Sequence, residues 1–157
     1  MSCKDSSHRT QDAPAFRMLI PTELQEIDPR FVADAYSLKI SRLVFASLVS
    51  IDPFSLEVTN QLAQSVQVLS PVRYLVRLKK GLRFSDGSAL DAHDVVATFE
   101  SIADPRLQSR YAQSYQNIQR IAVVDSHAVI FELKEAHAPF LTDLELPVLS
   151  SRYRERK

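Results

Sequence analysis

One continuous run, residues 74–99, most strongly limits what this chain can fold into. Its first part alternates apolar and polar residues, which predicts a β-strand over 74–78. A turn at Gly81, a second short strand and a turn at Asp86-Gly87 follow, and both glycines of the chain lie within these turns. The run ends in an amphipathic helix. A strand, turn, strand, turn, helix order of this kind predicts a mixed α/β fold.

The helix of this run carries its own start and stop signals. Asp91 can cap its amino end, and Asp94 occupies the third helical position, where it completes a capping box. Leu90 precedes the cap and can pack against Val95 as a hydrophobic staple. We expect the helix to end at Ile102, since an Asp-Pro dipeptide follows shortly afterwards.

The rest of the chain shows weaker patterns of the same two kinds. A helix over 36–49 is apolar on most of its faces, and we therefore expect it to be largely buried. Residues 56–62 are predicted as loop and turn. The other predicted elements are a strand over 16–20, a strand over 65–69, a helical turn over 111–118, a hairpin turning at Asp125-Ser126, and a short helix over 140–146.

Size and charge exclude several classes of protein. A length of 157 residues fits one domain, with 19 basic and 19 acidic side chains and a formal net charge of zero. A neutral balance argues against a general nucleic-acid binder, which needs an electropositive surface. It also argues against electrostatic attachment to anionic membranes. No stretch reaches the roughly 20 apolar residues that a transmembrane helix requires.

The single cysteine, Cys3, lies next to a polar stretch over 4–14. One cysteine excludes an internal disulfide and a zinc site built on several thiolates. Two interpretations remain open. A cysteine followed by a flexible tether resembles a bacterial lipoprotein after signal-peptide removal, with Cys3 as the lipid anchor; the alternative is an ordinary thiol in an unstructured amino-terminal segment.

The sequence offers no arrangement for catalysis or metal binding. Its four histidines form no i, i+4 pair and no Cys/His cluster, which favours solvated surface positions. No Gly-x-Ser-x-Gly nucleophile elbow occurs. We therefore expect no catalytic residues, no metal ligands and no cofactor. The histidines are His8, His93, His127 and His137.

A series of short motifs follows in order along the chain: Ile27-Asp28-Pro29 with Asp34 and Tyr36, residues 43–49, 60–65, 78–84, Asp86-Gly87, 94–96, 124–133 and 138–141. The ordered series, which covers residues 17 to about 149, resembles the large solute-binding proteins of bacterial ABC importers, the peptide/nickel class known as family 5. Val66 stands where that family has tryptophan, and Ser47 where it has glycine.

The resemblance implies a fold and a domain plan. It implies a partial periplasmic-binding-protein-like II fold of the α/β class, containing the opening of the first lobe and its attached mixed α+β subdomain. Residues 1–15 would be a flexible tether, 16–50 the start of lobe I, 51–149 the attached subdomain and 150–157 a charged tail. Family members are several hundred residues long, so we expect this chain to be an incomplete receptor that lacks the second lobe.

The resemblance also implies which residues line the cleft. The loop after the first strand and a tyrosine after the capped helix face the ligand in this family. Alternatives stay open for two of the matching residues, since Tyr36 can pack in the core and Asp34 can cap a helix. For Tyr111, polar neighbours favour the cleft. The matching residues are Val32, Asp34, Ala35, Tyr36, Ser37, Tyr111 and Val148.

The function implied is binding without chemistry. The chain would be the solute-binding component of an ABC transporter, with a peptide or other small solute and the ABC permease subunits as partners, and without nucleic acid. It would lie in the periplasm or at the cell surface, and touch the membrane only through a lipid on Cys3. The alternatives are a solute-sensing or interaction module of the same fold, or a non-functional remnant of a truncated gene.

Overall fold

Alternating apolar residues build a four-stranded antiparallel sheet in the computed structural model, which describes residues 17–153. Its strands lie in the order β3-β4-β6-β5. A separate two-stranded sheet pairs β1 with β2. The strands are β1 Val49–Ile51, β2 Val58–Asn60, β3 Ala63–Ser70, β4 Arg73–Leu78, β5 Ile118–Asp125 and β6 Ala128–Leu133; the helices are α1 Ala35–Val44, α2 Ala92–Ala103, α3 Ala112–Tyr115 and α4 Phe140–Asp143.

One face of the larger sheet forms the core. Tyr74 pairs with Phe131 and Val76 with Val129 across β4 and β6, and all four side chains are buried on the same face. Helix α2 and the short helices α3 and α4 contribute the aromatic side chains that pack against this face. The predicted strands at 65–69 and 74–78 and the predicted hairpin are confirmed, although its turn lies at Ser126-His127, one residue later than expected.

The predicted capping box of α2 is confirmed in detail. The Asp91 side chain accepts a hydrogen bond from the backbone N–H of His93 at 2.7 Å. Asp94 reciprocates, because its Oδ2 accepts from the backbone N–H of Asp91 at 3.0 Å. Leu90 and Val95 are both buried, as the staple requires. A further bond, from Ser151 N–H to Asp94 Oδ1, ties the chain end to this helix start.

Removing this cap gives a first testable prediction. Asp91→Ala should lower the free energy of unfolding by about 1 kcal/mol, since the amino end of α2 loses an acceptor. Asp91→Ser, which can still cap, should retain most of the stability. Urea denaturation followed by circular dichroism measures both. Equal stability of Asp91→Ala and the parent chain would show that the cap contributes nothing.

The predicted helix over 36–49 is wrong in length and in burial. Helix α1 ends at Val44, because Phe45 turns to extended backbone and Val49 enters β1. Its buried residues are Ser37 and Ser41, whereas its apolar side chains are exposed apart from the half-buried Ile40. Leu43, for example, is 65% exposed. The apolar positions of α1 therefore face away from the described core.

Three smaller predictions are corrected as well. Residues 17–20 form no strand, and residue 16 lies outside the described residues. The segment predicted as loop contains β2, which pairs Asn60 with Val49. The short strand expected after Gly81 is reduced to one bridge between Arg83 and Ala89. The short helices are present but brief, since α3 and α4 each have 4 residues.

Candidate functional site

The site develops from a tight loop over residues 28–34 that leads into α1. Asp28 organises the loop, because its carbonyl oxygen accepts from the N–H groups of Phe31 at 2.9 Å and Val32 at 3.2 Å. Its carboxylate also accepts from the Arg30 N–H at 3.0 Å. Proline at position 29 fixes the intervening backbone angle and supplies no competing donor. The proline and the hydrogen bonds within residues 28–32 are therefore sufficient to form this turn.

A buried guanidinium anchors the loop to the rest of the molecule. Arg30 is 2% exposed. Its guanidinium donates two hydrogen bonds to the Asp28 carboxylate, from Nε to Oδ1 at 3.0 Å and from Nη2 to Oδ2 at 2.7 Å. Its Nη1 donates to the Ser101 hydroxyl on α2 at 3.4 Å. This fork ties the turn to a helix that lies far away in the sequence.

Two hydroxyl groups hold the same loop from the segment after α2. Ser109 Oγ donates to the carbonyl oxygen of Arg30 at 2.7 Å, and Ser109 itself is buried. Tyr111 Oη donates to the carbonyl oxygen of Val32 at 2.6 Å. The loop is thus hydrogen-bonded to the α2–α3 connection at two of its carbonyls, those of Arg30 and Val32, which restricts its motion. We call Arg30, Ser109 and Tyr111 the loop clamp.

The predicted loop residues occupy different environments. Asp34 caps α1, accepting from the N–H groups of Tyr36 at 3.0 Å and Ser37 at 2.9 Å, which confirms the capping alternative. Val32 and Ser37 are buried. Ala35 is exposed, and Tyr36 is 38% exposed with Lys39 beside its ring, so Tyr36 does not pack in the core.

Tyr111 and Val148, predicted as parts of one cleft, line two different ones. Tyr111 joins Pro29 and Leu38 around a cleft of ≈ 250 Å³. Val148 is buried and lines a second cleft of ≈ 260 Å³ together with Phe84. The structure therefore brings Tyr111 to the loop but places Val148 elsewhere.

The first of these clefts lies between α1 and the α4 region, and we call it the α1–α4 cleft. Burial raises the pKa of the Tyr115 phenol in its wall, and nearby Asp143 adds to the increase. Burial also raises the pKa of Asp143, although His137 at 3.1 Å opposes that increase. The phenol therefore stays neutral at ordinary pH.

Residues 17–153 contain no group of three or more histidine, cysteine, aspartate or glutamate side chains that could hold a metal ion. His93 lies on the surface with its side chain 70% exposed, as the sequence predicts. His8 and Cys3 lie outside the described residues. Over the same described range, no helix is both long enough and apolar enough to cross a bilayer.

Sequence reasoning missed two members of the loop clamp, Arg30 and Ser109. The sequence alone does not single out Arg30, because the same Asp-Pro-Arg tripeptide occurs at 28–30 and again at 104–106. Both copies form the same fork, and the second is on the surface, where the Arg106 side chain is 87% exposed. Only the tertiary contacts distinguish the anchor from its surface copy.

Comparison with solved structures defines the class of protein. The structure of the Escherichia coli murein tripeptide binding protein MppA matches with a TM-score of 0.78 and 17% identity, over 85% of this chain and 30% of that chain. The ABC transporter substrate binding protein CtaP from Listeria monocytogenes matches with a TM-score of 0.72 and 27% identity, over 82% of this chain and 27% of that chain. The fold is a partial type II periplasmic-binding-protein fold, as predicted.

The family follows from the sequence. The model for the middle part of bacterial extracellular solute-binding proteins, family 5, matches residues 57–153, and the chain belongs to this family. The glutathione-binding protein GsiB of Escherichia coli K12 is 27% identical over 122 residues, which are 77% of this chain and 24% of GsiB. The chain thus spans about a quarter of the length of the curated relatives it matches.

Proposed function

We propose that this chain supplies the opening part of a ligand-binding lobe in the solute-binding component of an ABC importer. The observation that carries the proposal is the family match over residues 57–153. Two of the proteins named above are a glutathione-binding protein and a murein tripeptide binding protein, and both support a peptide or related small solute. The partners would be that solute and the ABC permease subunits, in the periplasm or at the cell surface.

The proposed mechanism is capture between two lobes without any bond being made or broken in the solute. The loop over 28–34 presents its contacts from a fixed position, because the loop clamp holds its backbone. Ala35 and Tyr36 are exposed at the start of α1 and are the main proposed contacts. The remaining proposed contacts are Val32, Asp34, Ser37 and Tyr111 around the loop, and Val148 in the separate cleft that it lines.

The domain plan and the anchor are part of the same proposal. Residues 16–50 would begin lobe I, 51–149 would form the attached subdomain, and 150–157 the charged tail. Cys3 would carry a lipid that tethers the protein through the polar segment after it. Mass spectrometry of the protein recovered from bacterial membranes tests the anchor, and an unmodified thiol on membrane-recovered protein would rule it out.

Solute binding is tested by thermal unfolding of the 157-residue chain with glutathione, di- and tripeptides and longer peptides. A solute at 100 times its dissociation constant should stabilise the protein by about 2.7 kcal/mol and raise Tm. Tyr36→Ala should weaken binding with little effect on stability. The matched control is Phe54→Ala, which removes an aromatic ring that is 95% exposed in the β1–β2 loop. An unchanged Tm across the panel would refute solute binding by this chain alone.

A further inference from the structure

The four-stranded sheet has two edge strands, β3 and β5, which differ in how well they are protected. Charged residues on an edge strand discourage it from pairing with another chain. β5 carries Arg120 within the strand and Asp125 at its end. β3, with 8 residues, contains no charged residue and no proline. The β3 edge is therefore the one at which another strand can be added.

The free part of the β3 edge is the stretch over residues 65–70. The start of β3 is already covered, because the Ala63 N–H donates to the Leu48 carbonyl oxygen at 3.0 Å. The Asn60 side chain likewise donates to the Gln64 carbonyl oxygen at 3.2 Å. Beyond that point, and within the described residues 17–153, the backbone of 65–70 is hydrogen-bonded only to β4. An edge strand turns alternate N–H and C=O groups outward, so these groups remain available to a second strand.

The core face of the sheet is incompletely covered at the same edge. Val66 lies opposite Val76, a buried core residue, and is itself half-buried. Val68 lies opposite Tyr74, also a buried core residue, but is 58% exposed. Both valines thus lie on the core face, and the cover of that face ends before Val68. Pairing with a second strand would bury this apolar side chain.

The β3 strand is complementary to a second copy of itself. A two-fold axis perpendicular to the sheet keeps the two core faces on the same side and brings the two strands together antiparallel. With Gln67 on this axis, Val66 of one copy lies opposite Val68 of the other, so each of these valines meets a valine. No like charges meet, because the strand has none, and a formal net charge of zero adds no general repulsion between copies.

A peptide solute fits this edge less well, because its charged ends would find no charged side chain on the strand. We propose that the chain forms a two-fold dimer through residues 65–70 of β3, in which the two four-stranded sheets become one continuous sheet. Regular pairing with β4 extends only over 65–68 before a bulge, so the shared ladder is short and the dimer has modest affinity. The inference goes beyond the proposed function and does not rest on it.

Sedimentation equilibrium of the 157-residue chain measures the association directly. The average mass should rise from that of one 17.8 kDa chain toward twice that value as the concentration increases from about 1 µM to about 1 mM, the range of dissociation constants expected for a short interface. A monomer throughout this range, or assembly that continues past two chains, would overturn the inference.

Charge variants of Gln67, which is exposed, test the contact without disturbing the core. Gln67→Lys puts two like charges opposite each other at the axis and should weaken association about fivefold or more. Gln67→Glu should do the same, and a mixture of the two variants should restore association. The matched control, Gln119→Lys, changes an exposed glutamine on the β5 edge and should have no effect. Equal loss in the control, or no restoration in the mixture, would overturn the assignment.

The dimer and the proposed function fail in different ways. A dimer whose Tm does not respond to any solute of the panel would support the inference while refuting solute binding by this chain alone. A monomer that binds a solute would overturn only the dimer. NMR shifts along β3 on addition of a tripeptide, in a chain that stays monomeric, would assign the edge to a peptide and would likewise overturn the dimer.

Discussion

Replacing Phe131 by alanine is expected to lower the free energy of unfolding by about 3–5 kcal/mol. Phe131 is fully buried in the middle of the four-stranded sheet. Its ring meets Phe99 of α2 at 5.0 Å and Phe140 of α4 at 5.5 Å between centroids, both in edge-on geometry. One side chain therefore joins three elements, and its removal leaves a cavity that none of them can easily fill.

The expected loss is large relative to the total free energy of unfolding of a single domain. Single domains have about 5–15 kcal/mol in all, so Phe131→Ala should remove a large fraction of it. Urea denaturation followed by circular dichroism and tyrosine fluorescence is suitable, because the chain contains no tryptophan. Phe54→Ala is the matched control, since Phe54 is 95% exposed and its loss should change stability by less than about 0.5 kcal/mol. Similar losses in the two variants would contradict the assigned core.

The parts of the fold that could be predicted depend on local patterns. The alternation at Val129, Phe131 and Leu133 specifies a strand with one buried face, and the structure buries all three. The α2 cap could equally be predicted from the sequence, because a capping box involves only two residues that are three positions apart. Such signals are contained within a few residues, so distant parts of the chain do not alter them.

The burial of α1 was not predictable in the same way. Helical periodicity shows which residues share a face, but not what covers that face. Leu43 and Val44 share the apolar surface of α1 and remain exposed, since no described element packs over them. The buried positions of this helix are serines, Ser37 and Ser41, which a hydrophobicity argument assigns to solvent.

The candidate site was predictable only where one residue acts on its neighbours. Asp34 as a helix cap is an example of that kind. The separation of Tyr111 and Val148 into two clefts depends on how four short segments pack, and the resemblance to a family does not contain that information. Arg30 was missed for a similar reason. Its tripeptide is identical in sequence to the surface copy at 104–106, so only tertiary contacts distinguish the two.

That duplicated tripeptide allows a sharp test of the loop clamp. Arg30→Ala should lower the free energy of unfolding by about 1–3 kcal/mol. Breaking a buried ion pair costs more than that in general, but the Asp28 side chain is 25% exposed and solvent can partly compensate it. The loss should be concentrated in the loop. Hydrogen exchange at the amides of Phe31 and Val32, which donate to Asp28, should therefore become faster.

Arg106→Ala is the matched control, because Arg106 makes the same two-nitrogen fork to Asp104 with its side chain 87% exposed. Exposed pairs contribute about 0–1 kcal/mol, so this variant should be close to neutral. Arg30→Lys should fail to restore the loop, since an ammonium group cannot make the planar fork. Equal effects of Arg30→Ala and Arg106→Ala would mean that the loop is held by Ser109 and Tyr111 alone, and that the buried guanidinium has no anchoring role.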